Sequence, residues 1–154
     1  LRRLERHAVR CGGGRSHRFN LADAVLIKEN HVAAAGGVVA AVRRARQGAA
    51  RAGRDDTQIM CETETLDQVR ELISTSEQQW PDRILLDNMT VETTQEAVAL
   101  VREEAGQQIE IEATGGVDLA SCRAIAETGV DLLSVGALTH SAPAIDLSLL
   151  FKDA

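Results

Sequence analysis

The chain has 154 residues, a length that suits one domain with one hydrophobic core. Its 17 Lys and Arg against 23 Asp and Glu leave a net charge of −6, which argues against a nucleic-acid partner or an anionic membrane surface. Aromatic residues make up 2% and aliphatic residues dominate the apolar 44%, so stacking on single-stranded nucleic acid is not expected.

The three cysteines, Cys11, Cys61 and Cys122, are far apart, and no two of them form a CxxC pair. We expect neither a disulfide nor a zinc site, but small buried side chains in a reducing cytoplasm. No apolar run reaches the roughly 18 residues of a membrane-spanning helix, so no membrane association is predicted.

Short β-rich runs alternate with longer amphipathic runs along the chain. In chain order, the pattern predicts a helix at Leu1–Arg10, a strand at Ala24–Ile27, a helix at Val38–Ala50, a strand at Gln58–Cys61, a helix at Leu66–Ser74, a strand at Arg83–Asp87, a helix at Val91–Ala105, a strand at Ile109–Ala113, a helix at Leu119–Thr128 and a strand at Asp131–Ala137. This β-α repeat predicts one α/β domain over residues 1–154, with a parallel sheet that is doubly wound or curled toward a barrel.

Every predicted strand ends in polar or glycine-rich residues, where parallel β/α folds place their chemistry. The endings are Lys28-Glu29-Asn30-His31, Cys61-Glu62-Thr63-Glu64, Asp87-Asn88-Met89, Thr114-Gly115-Gly116 and the stretch 136–141. These endings bring Lys28 to the same rim as Glu62 and Asp87, two acids that could hold Mg²⁺ together with substrate phosphates. Singly, Lys28 could be a solvated strand end, Glu62 a surface carboxylate near a helix start and Asp87 a helix cap.

Three further segments indicate anion binding. Thr114-Gly115-Gly116 leads from a strand toward a helix, and Gly136-Ala137 repeats that arrangement, so backbone N–H groups can approach a phosphate. The glycine loop at 12–14 precedes His17, which can donate from either ring nitrogen, and Arg18, which can hold a carboxylate bidentately. The plainer interpretation is a tight turn for the Gly115-Gly116 pair and a solvated basic turn for the segment with His17 and Arg18.

Together these blocks resemble quinolinate phosphoribosyltransferase, also called nicotinate-nucleotide pyrophosphorylase (carboxylating). The resemblance spans the chain through CGGGRSHRFNLADAVLIKENHVAAAGG, ETETLDQ, ILLDNM, EATGGV and AIAETGVDLLSVGALTHSAPAIDLSL. It implies an incomplete parallel (β/α) barrel, similar to a TIM barrel, that joins quinolinate to 5-phosphoribosyl-1-pyrophosphate. With Mg²⁺ as cofactor, that reaction releases pyrophosphate and CO₂ and yields nicotinate mononucleotide for NAD biosynthesis.

The resemblance also implies roles for individual residues. It assigns the catalytic positions to Lys28, Glu62 and Asp87, the two acids also serving as metal ligands. Substrate-binding positions are His17, Arg18 and Lys28 for the dicarboxylate, and Thr114, Gly115, Gly116, Gly136 and His140 for the phosphate and neighbouring oxygens. Met60 departs from the family pattern, because an acid is usual there, and Thr114 replaces a usual Ser.

The family has an N-terminal α+β domain, and a neighbouring subunit completes each site, so the resemblance implies a homodimer or a higher homo-oligomer. We expect this chain to be the barrel portion, truncated on its N-terminal side and weakly active or inactive alone. Two alternatives stay open: the molybdenum-transport-associated homologue of the same fold, and a catalytically silent barrel that binds phosphate ligands or pairs with a full-length subunit.

Overall fold

The computed structural model describes residues 1–151. The strands are β1 (Ala24–Ile27), β2 (Gln58–Thr63), β3 (Arg83–Asp87), β4 (Glu110–Thr114) and β5 (Leu132–Leu133). The helices are α1 (Arg2–Cys11), α2 (Glu29–Ala35), α3 (Val38–Arg51), α4 (Leu66–Ile73), α5 (Val91–Ala105), α6 (Cys122–Ala126) and α7 (Ala137–His140), with a 3-10 turn at Glu77–Gln79.

The five strands form one parallel sheet in the order β1-β2-β3-β4-β5. Consecutive strands are therefore neighbours, as in a (β/α) barrel, and β1 and β5 are the two open edges of the sheet. The predicted α/β fold with an incomplete parallel barrel is confirmed.

One face of the sheet packs against α3, α4 and α5 to form the main core. Ile59, Ile84 and Ile111 on three neighbouring strands are fully buried there, against Val42 of α3 and Leu72 of α4. Side chains alternate between faces along a strand, so the intervening residues point to the opposite, inner face. That face carries a small apolar cluster of Ala24, Met60 and Leu85 and the charged side chains described below.

The predicted first residues of α4 and α5 are confirmed, and in both helices a threonine side chain caps the amino end. Thr65 Oγ1 accepts the N–H of Gln68 at 3.3 Å, and Thr90 Oγ1 accepts the N–H of Thr93 at 3.2 Å. Asp118 caps a turn instead, because its carboxylate accepts the N–H groups of residues 120 and 121 and the helix begins only at Cys122. The predicted helix over 119–128 is therefore too long.

The structure also differs from the prediction in the length of β5 and in two short helices, α2 and α7. Strand β5 is two residues long rather than the predicted seven, because its ladder with β4 ends and Gly136 starts α7. Helices α2 and α7 were not predicted. Helix α2 has only two turns, too few for a clear period, and it ends at Gly36, whose φ of 86° suits glycine.

The expectation that all three cysteines are buried is wrong for Cys11, which is exposed on α1 because that helix buries none of its residues, and Cys122 is only partly buried. Cys61 is buried, and burial raises the pKa of its thiol to about 12, so it remains protonated. Within residues 1–151, no helix combines the length and the apolar character needed to cross a membrane.

Candidate active site

The carboxyl ends of β1 to β4 bring the predicted acids and the lysine onto the inner face of the sheet. Two register pairs near these strand ends, Ile27 with Cys61 and Leu86 with Ala113, point into the helix-covered side. The residues that follow, Lys28, Glu62, Asp87 and Thr114, therefore share the opposite face. Asp87 and Thr114 are direct register partners.

Lys28 and Glu62 form an ion pair at this rim. The ammonium Nζ lies 2.9 Å from Glu62 Oε1 and 3.2 Å from Oε2, so it contacts both carboxylate oxygens. The Lys28 N–H donates to His31 Nδ1 at 2.9 Å, which ties the first turn of α2 to the strand end. His31 thus has a capping role that the sequence analysis did not foresee.

Asp87 ends β3 and lies beside Glu62. Both carboxylates line one narrow cleft with Glu29, Glu64 and Gln68. The amide of Asn88 donates from Nδ2 to Asp87 Oδ2 at 3.1 Å. The structure therefore brings Lys28, Glu62 and Asp87 together at the rim, as the sequence predicted.

The predicted phosphate residues also meet in one place. A cavity of about 480 Å³ is lined by Ser134 together with all five of them, namely Thr114, Gly115, Gly116, Gly136 and His140. Gly115 and Gly116 have φ values of 82° and 63°, which non-glycine residues rarely adopt. A Cβ at Gly136 would lie 2.9 Å from His140 Nε2, so a side chain there would require the imidazole to shift.

His17 and Arg18 line a different and larger cavity, of about 760 Å³, together with Met60 and Arg83. Arg18 donates from Nη1 to the Ala24 carbonyl at 3.1 Å. The Arg18 N–H donates to His17 Nδ1 at 2.9 Å, so that nitrogen is an acceptor and the ring proton lies on Nε2. The expectation that either ring nitrogen of His17 donates is therefore wrong for Nδ1, and the lining of this cavity does not include Lys28.

A buried carboxylate that the sequence analysis missed lies beneath His17. Glu112 is 2% exposed; its Oε2 accepts from Arg83 Nη1 at 2.7 Å, and its Oε1 accepts from the Ser134 hydroxyl. His17 Nε2 lies 3.8 Å from Oε1. The alternation Glu110-Ile111-Glu112 within β4 is the signal that could have found it, because one face of that strand then carries two acids.

Burial lowers the pKa of His17 below its ordinary value of 6.5, as do the nearby cations Arg83, Arg18 and Arg6, while Glu112 opposes the shift. Between the lowered pKa and 6.5, the unfolded chain holds a proton that the folded chain lacks. We therefore expect the free energy of unfolding to fall as the pH drops through this window, by at most about 1.4 kcal/mol per pH unit.

Urea unfolding at a series of pH values, comparing the natural protein with His17→Gln, measures this effect. The unfolding free energy of the natural protein minus that of His17→Gln should fall steadily as the pH drops through the window and be constant above it. Parallel pH profiles for the two proteins would contradict the prediction.

The two rim acids fit Mg²⁺ in one of its usual modes. Mg²⁺ is commonly held by one or two carboxylates and completes its shell with water and substrate phosphates. Glu62 and Asp87 offer two such carboxylates across one cleft. Among the described residues, no cluster of three or more His, Cys, Asp or Glu side chains is placed to hold a metal ion.

A profile of the family described as "Quinolinate phosphoribosyl transferase, C-terminal domain" matches residues 1–150. The chain belongs to this family. A nicotinate-nucleotide pyrophosphorylase (carboxylating) of Mycobacterium leprae is 43% identical over 151 residues, and a probable one of Bacillus subtilis is 40% identical over 149. Each alignment covers 97% of this chain and 49% or 47% of the relative, so the chain spans about half the length of these relatives.

Solved structures of the family share the fold. The nicotinate-nucleotide pyrophosphorylase from Francisella tularensis superposes with a TM-score of 0.81 at 39% identity, covering 96% of this chain and 48% of that one. A NadC deletion mutant gives 0.82 at 36% identity, covering 95% and 47%. Thiamine phosphate pyrophosphorylase from Pyrococcus furiosus, at 17% identity and a TM-score of 0.55, shares the fold alone.

Within this quinolinate phosphoribosyltransferase domain, the predicted site residues thus fall into three groups. Lys28, Glu62 and Asp87 meet at the rim, the phosphate residues share the neighbouring cavity, and His17 and Arg18 lie along the inner face. Asn88, His31, Arg83 and Glu112 are additions from the structure. The functional roles assigned by the resemblance remain predictions.

Proposed function

We propose that the chain is the catalytic barrel of a quinolinate phosphoribosyltransferase, a pentosyltransferase of NAD biosynthesis. The reaction would join quinolinate to 5-phosphoribosyl-1-pyrophosphate and release pyrophosphate and CO₂, leaving nicotinate mononucleotide. The observation that carries the proposal is the adjacency of the Lys28–Glu62 ion pair and Asp87 to a glycine-lined cavity, in a member of this family. The names of the relatives reported above favour this substrate over the molybdenum-associated alternative.

The rim acids suit the ribose end of the reaction. Displacement of pyrophosphate at the anomeric carbon develops positive, oxocarbenium-like charge, as in glycoside chemistry. Glu62 and Asp87 would face that charge with two carboxylates already held in place, which stabilises the transition state more than the ground state. Lys28, in contact with both oxygens of Glu62, would orient that carboxylate and offer a cation to the incoming dicarboxylate.

The glycine-lined cavity suits the phosphate of the donor. Gly115 and Gly116 allow the backbone to come close to a ligand, and Thr114 adds a hydroxyl. His140 Nδ1 lies 2.7 Å from the Ser141 hydroxyl, which leaves Nε2 directed toward Gly136. These groups would fix the ribose phosphate and so place the anomeric carbon at the rim.

Magnesium would be held by Glu62 and Asp87 and would neutralise charge on the departing pyrophosphate. His17 and Arg18 would reach the quinolinate carboxylates from the inner face. In the present conformation Arg18 Nη1 donates to the Ala24 carbonyl, and the other N–H groups of the guanidinium would serve a carboxylate. Such a bond is favourable, because an Arg–carboxylate contact is charge-assisted.

The test is an assay on the complete natural polypeptide with carboxyl-labelled quinolinate. We expect labelled CO₂ to be released only when 5-phosphoribosyl-1-pyrophosphate and Mg²⁺ are both present, with nicotinate mononucleotide formed in equal amount. Binding of the phosphoribosyl donor without CO₂ release would favour the silent phosphate-binding barrel. An absence of both would overturn the proposal.

We propose further that the protein acts in the cytoplasm as a homodimer or a higher homo-oligomer. Exposed apolar side chains at Leu138, Ile145, Leu147 and Leu149 support association, because a partner would remove them from water. The free cysteines fit a reducing compartment. Sedimentation equilibrium of the complete polypeptide decides the oligomeric state.

A further inference from the structure

We propose that Asn88 is a positioning residue that holds the Asp87 carboxylate and braces the glycine loop after β4, so that the acid and the phosphate loop keep one relative position. The inference rests on the proposed function, in which Asp87 faces the reacting carbon and the loop holds the donor phosphate. Three independent contacts of Asn88 carry it: one of its backbone and two of its side chain.

The backbone of Asn88 adopts a special conformation. Its φ is 54°, the only positive φ at a non-glycine position in residues 1–151. In this conformation its N–H donates to the Thr114 carbonyl at 2.9 Å, one residue beyond the last register pair of β3 and β4. Asparagine tolerates the left-handed region better than most residues, so the turn itself explains part of the choice.

The side chain then turns back on the preceding residue. Asn88 Nδ2 donates to Asp87 Oδ2 at 3.1 Å, which restricts rotation of that carboxylate. A charge-assisted bond of this kind is stronger than one between neutral groups.

The same amide packs on Gly115. A Cβ built on that glycine would lie 2.5 Å from Asn88 Cγ and 2.8 Å from Nδ2, distances that real side chains do not reach. The amide therefore occupies the space that the missing Cβ leaves. Gly115 belongs to the phosphate cavity, so Asn88 is the physical link between that cavity and Asp87.

Two substitutions separate positioning from a role in the turn alone. Asn88→Gly keeps the left-handed backbone without strain and removes the amide. Asn88→Asp keeps shape and backbone tolerance but replaces the donor by a carboxylate that repels Asp87. If Asn88 served only the turn, both variants would keep the activity of the natural protein.

With the complete natural polypeptide, we expect kcat to fall about 10- to 100-fold in Asn88→Gly, and at least as far in Asn88→Asp, with little change in the melting temperature. Gln107→Gly is the control and should keep full activity. Gln107 is exposed in the loop between α5 and β4, at the amino ends of the strands and thus away from the rim. Natural kcat in both Asn88 variants would overturn the positioning role.

The contact with Gly115 has its own test, which needs no activity. Gly115→Ala is strained in any background because of the φ of 82°, but only with Asn88 present does the new Cβ meet the amide. We expect Gly115→Ala to lower the melting temperature by several degrees more in the natural background than in Asn88→Gly. Equal losses in the two backgrounds would overturn the bracing contact.

The activity assays and the melting temperatures together separate the proposed function from the positioning role of Asn88. A natural polypeptide without turnover refutes the proposed function, and the melting temperatures then decide the contact between Asn88 and Gly115 by themselves. An active natural polypeptide whose Asn88 variants are equally active refutes the inference and leaves the proposed function standing.

Discussion

Replacing Asp87 by asparagine is expected to lower kcat by about 10²- to 10³-fold in the complete polypeptide. The substitution keeps the size of the side chain and removes the negative charge that would face the oxocarbenium-like carbon. Because that charge is needed mainly in the transition state, kcat should fall much more than the affinity for either substrate. Steady-state kinetics with each substrate varied in turn measure both.

Asp55→Asn is the matched control for this experiment. Asp55 is exposed in the loop before β2, at the amino ends of the strands, whereas the rim lies at their carboxyl ends. The same chemical change there should therefore leave kcat unaltered. A rise in the KM for quinolinate or for the donor, with kcat unchanged, would assign Asp87 to ground-state binding instead. Unchanged kcat and KM would remove it from the mechanism.

Replacing Arg83 by methionine is expected to lower the free energy of unfolding by about 3–5 kcal/mol. The change removes the guanidinium from Glu112, whose side chain is 2% exposed and would be left as a buried charge without its cation. The bond from Arg83 to Glu110 adds little to this loss, because the Glu110 side chain is 42% exposed and therefore well solvated. Denaturant unfolding measures the loss.

Two companion variants make that result specific. Adding Glu112→Gln to Arg83→Met removes the unpaired charge and should restore most of the lost stability. Arg70→Met breaks ion pairs with Asp67 and Glu96 at the exposed surface, so it should cost no more than about 1 kcal/mol. A loss in Arg83→Met as small as that in Arg70→Met would show that the Glu112 carboxylate is not held by Arg83.

Helices and strands were predictable from the sequence where the apolar residues follow a clear periodicity and a polar residue marks the end of the element. Helix α5 and strand β3 have the predicted bounds, because α5 follows the cap of Thr90 and buries one side, and β3 is a run of apolar residues closed by Asp87. Short elements were not predictable in this way. The two residues of β5 depend on how far its ladder with β4 extends, which is a property of the neighbouring strand.

The rim of the site was similarly predictable in part. A lysine and two acids lie at the carboxyl ends of β1, β2 and β3, and parallel strands bring those ends to one rim of the sheet. The partners of those groups were not predictable. Asn88 combines a left-handed backbone with a bond from its N–H to Thr114, and that bond exists only when β3 and β4 lie side by side.

The sequence by itself determined the α/β class, the parallel direction of the strands and the residue types at their carboxyl ends, because periodicity and the β-α repeat are readable along the chain. The tertiary structure alone decided which of those residues touch. Lys28 meets Glu62 from 34 positions away, Asn88 meets Gly115, and His17 turns toward a buried Glu112 rather than outward. Such contacts follow from the register and stagger of neighbouring strands, which no single segment of the chain encodes.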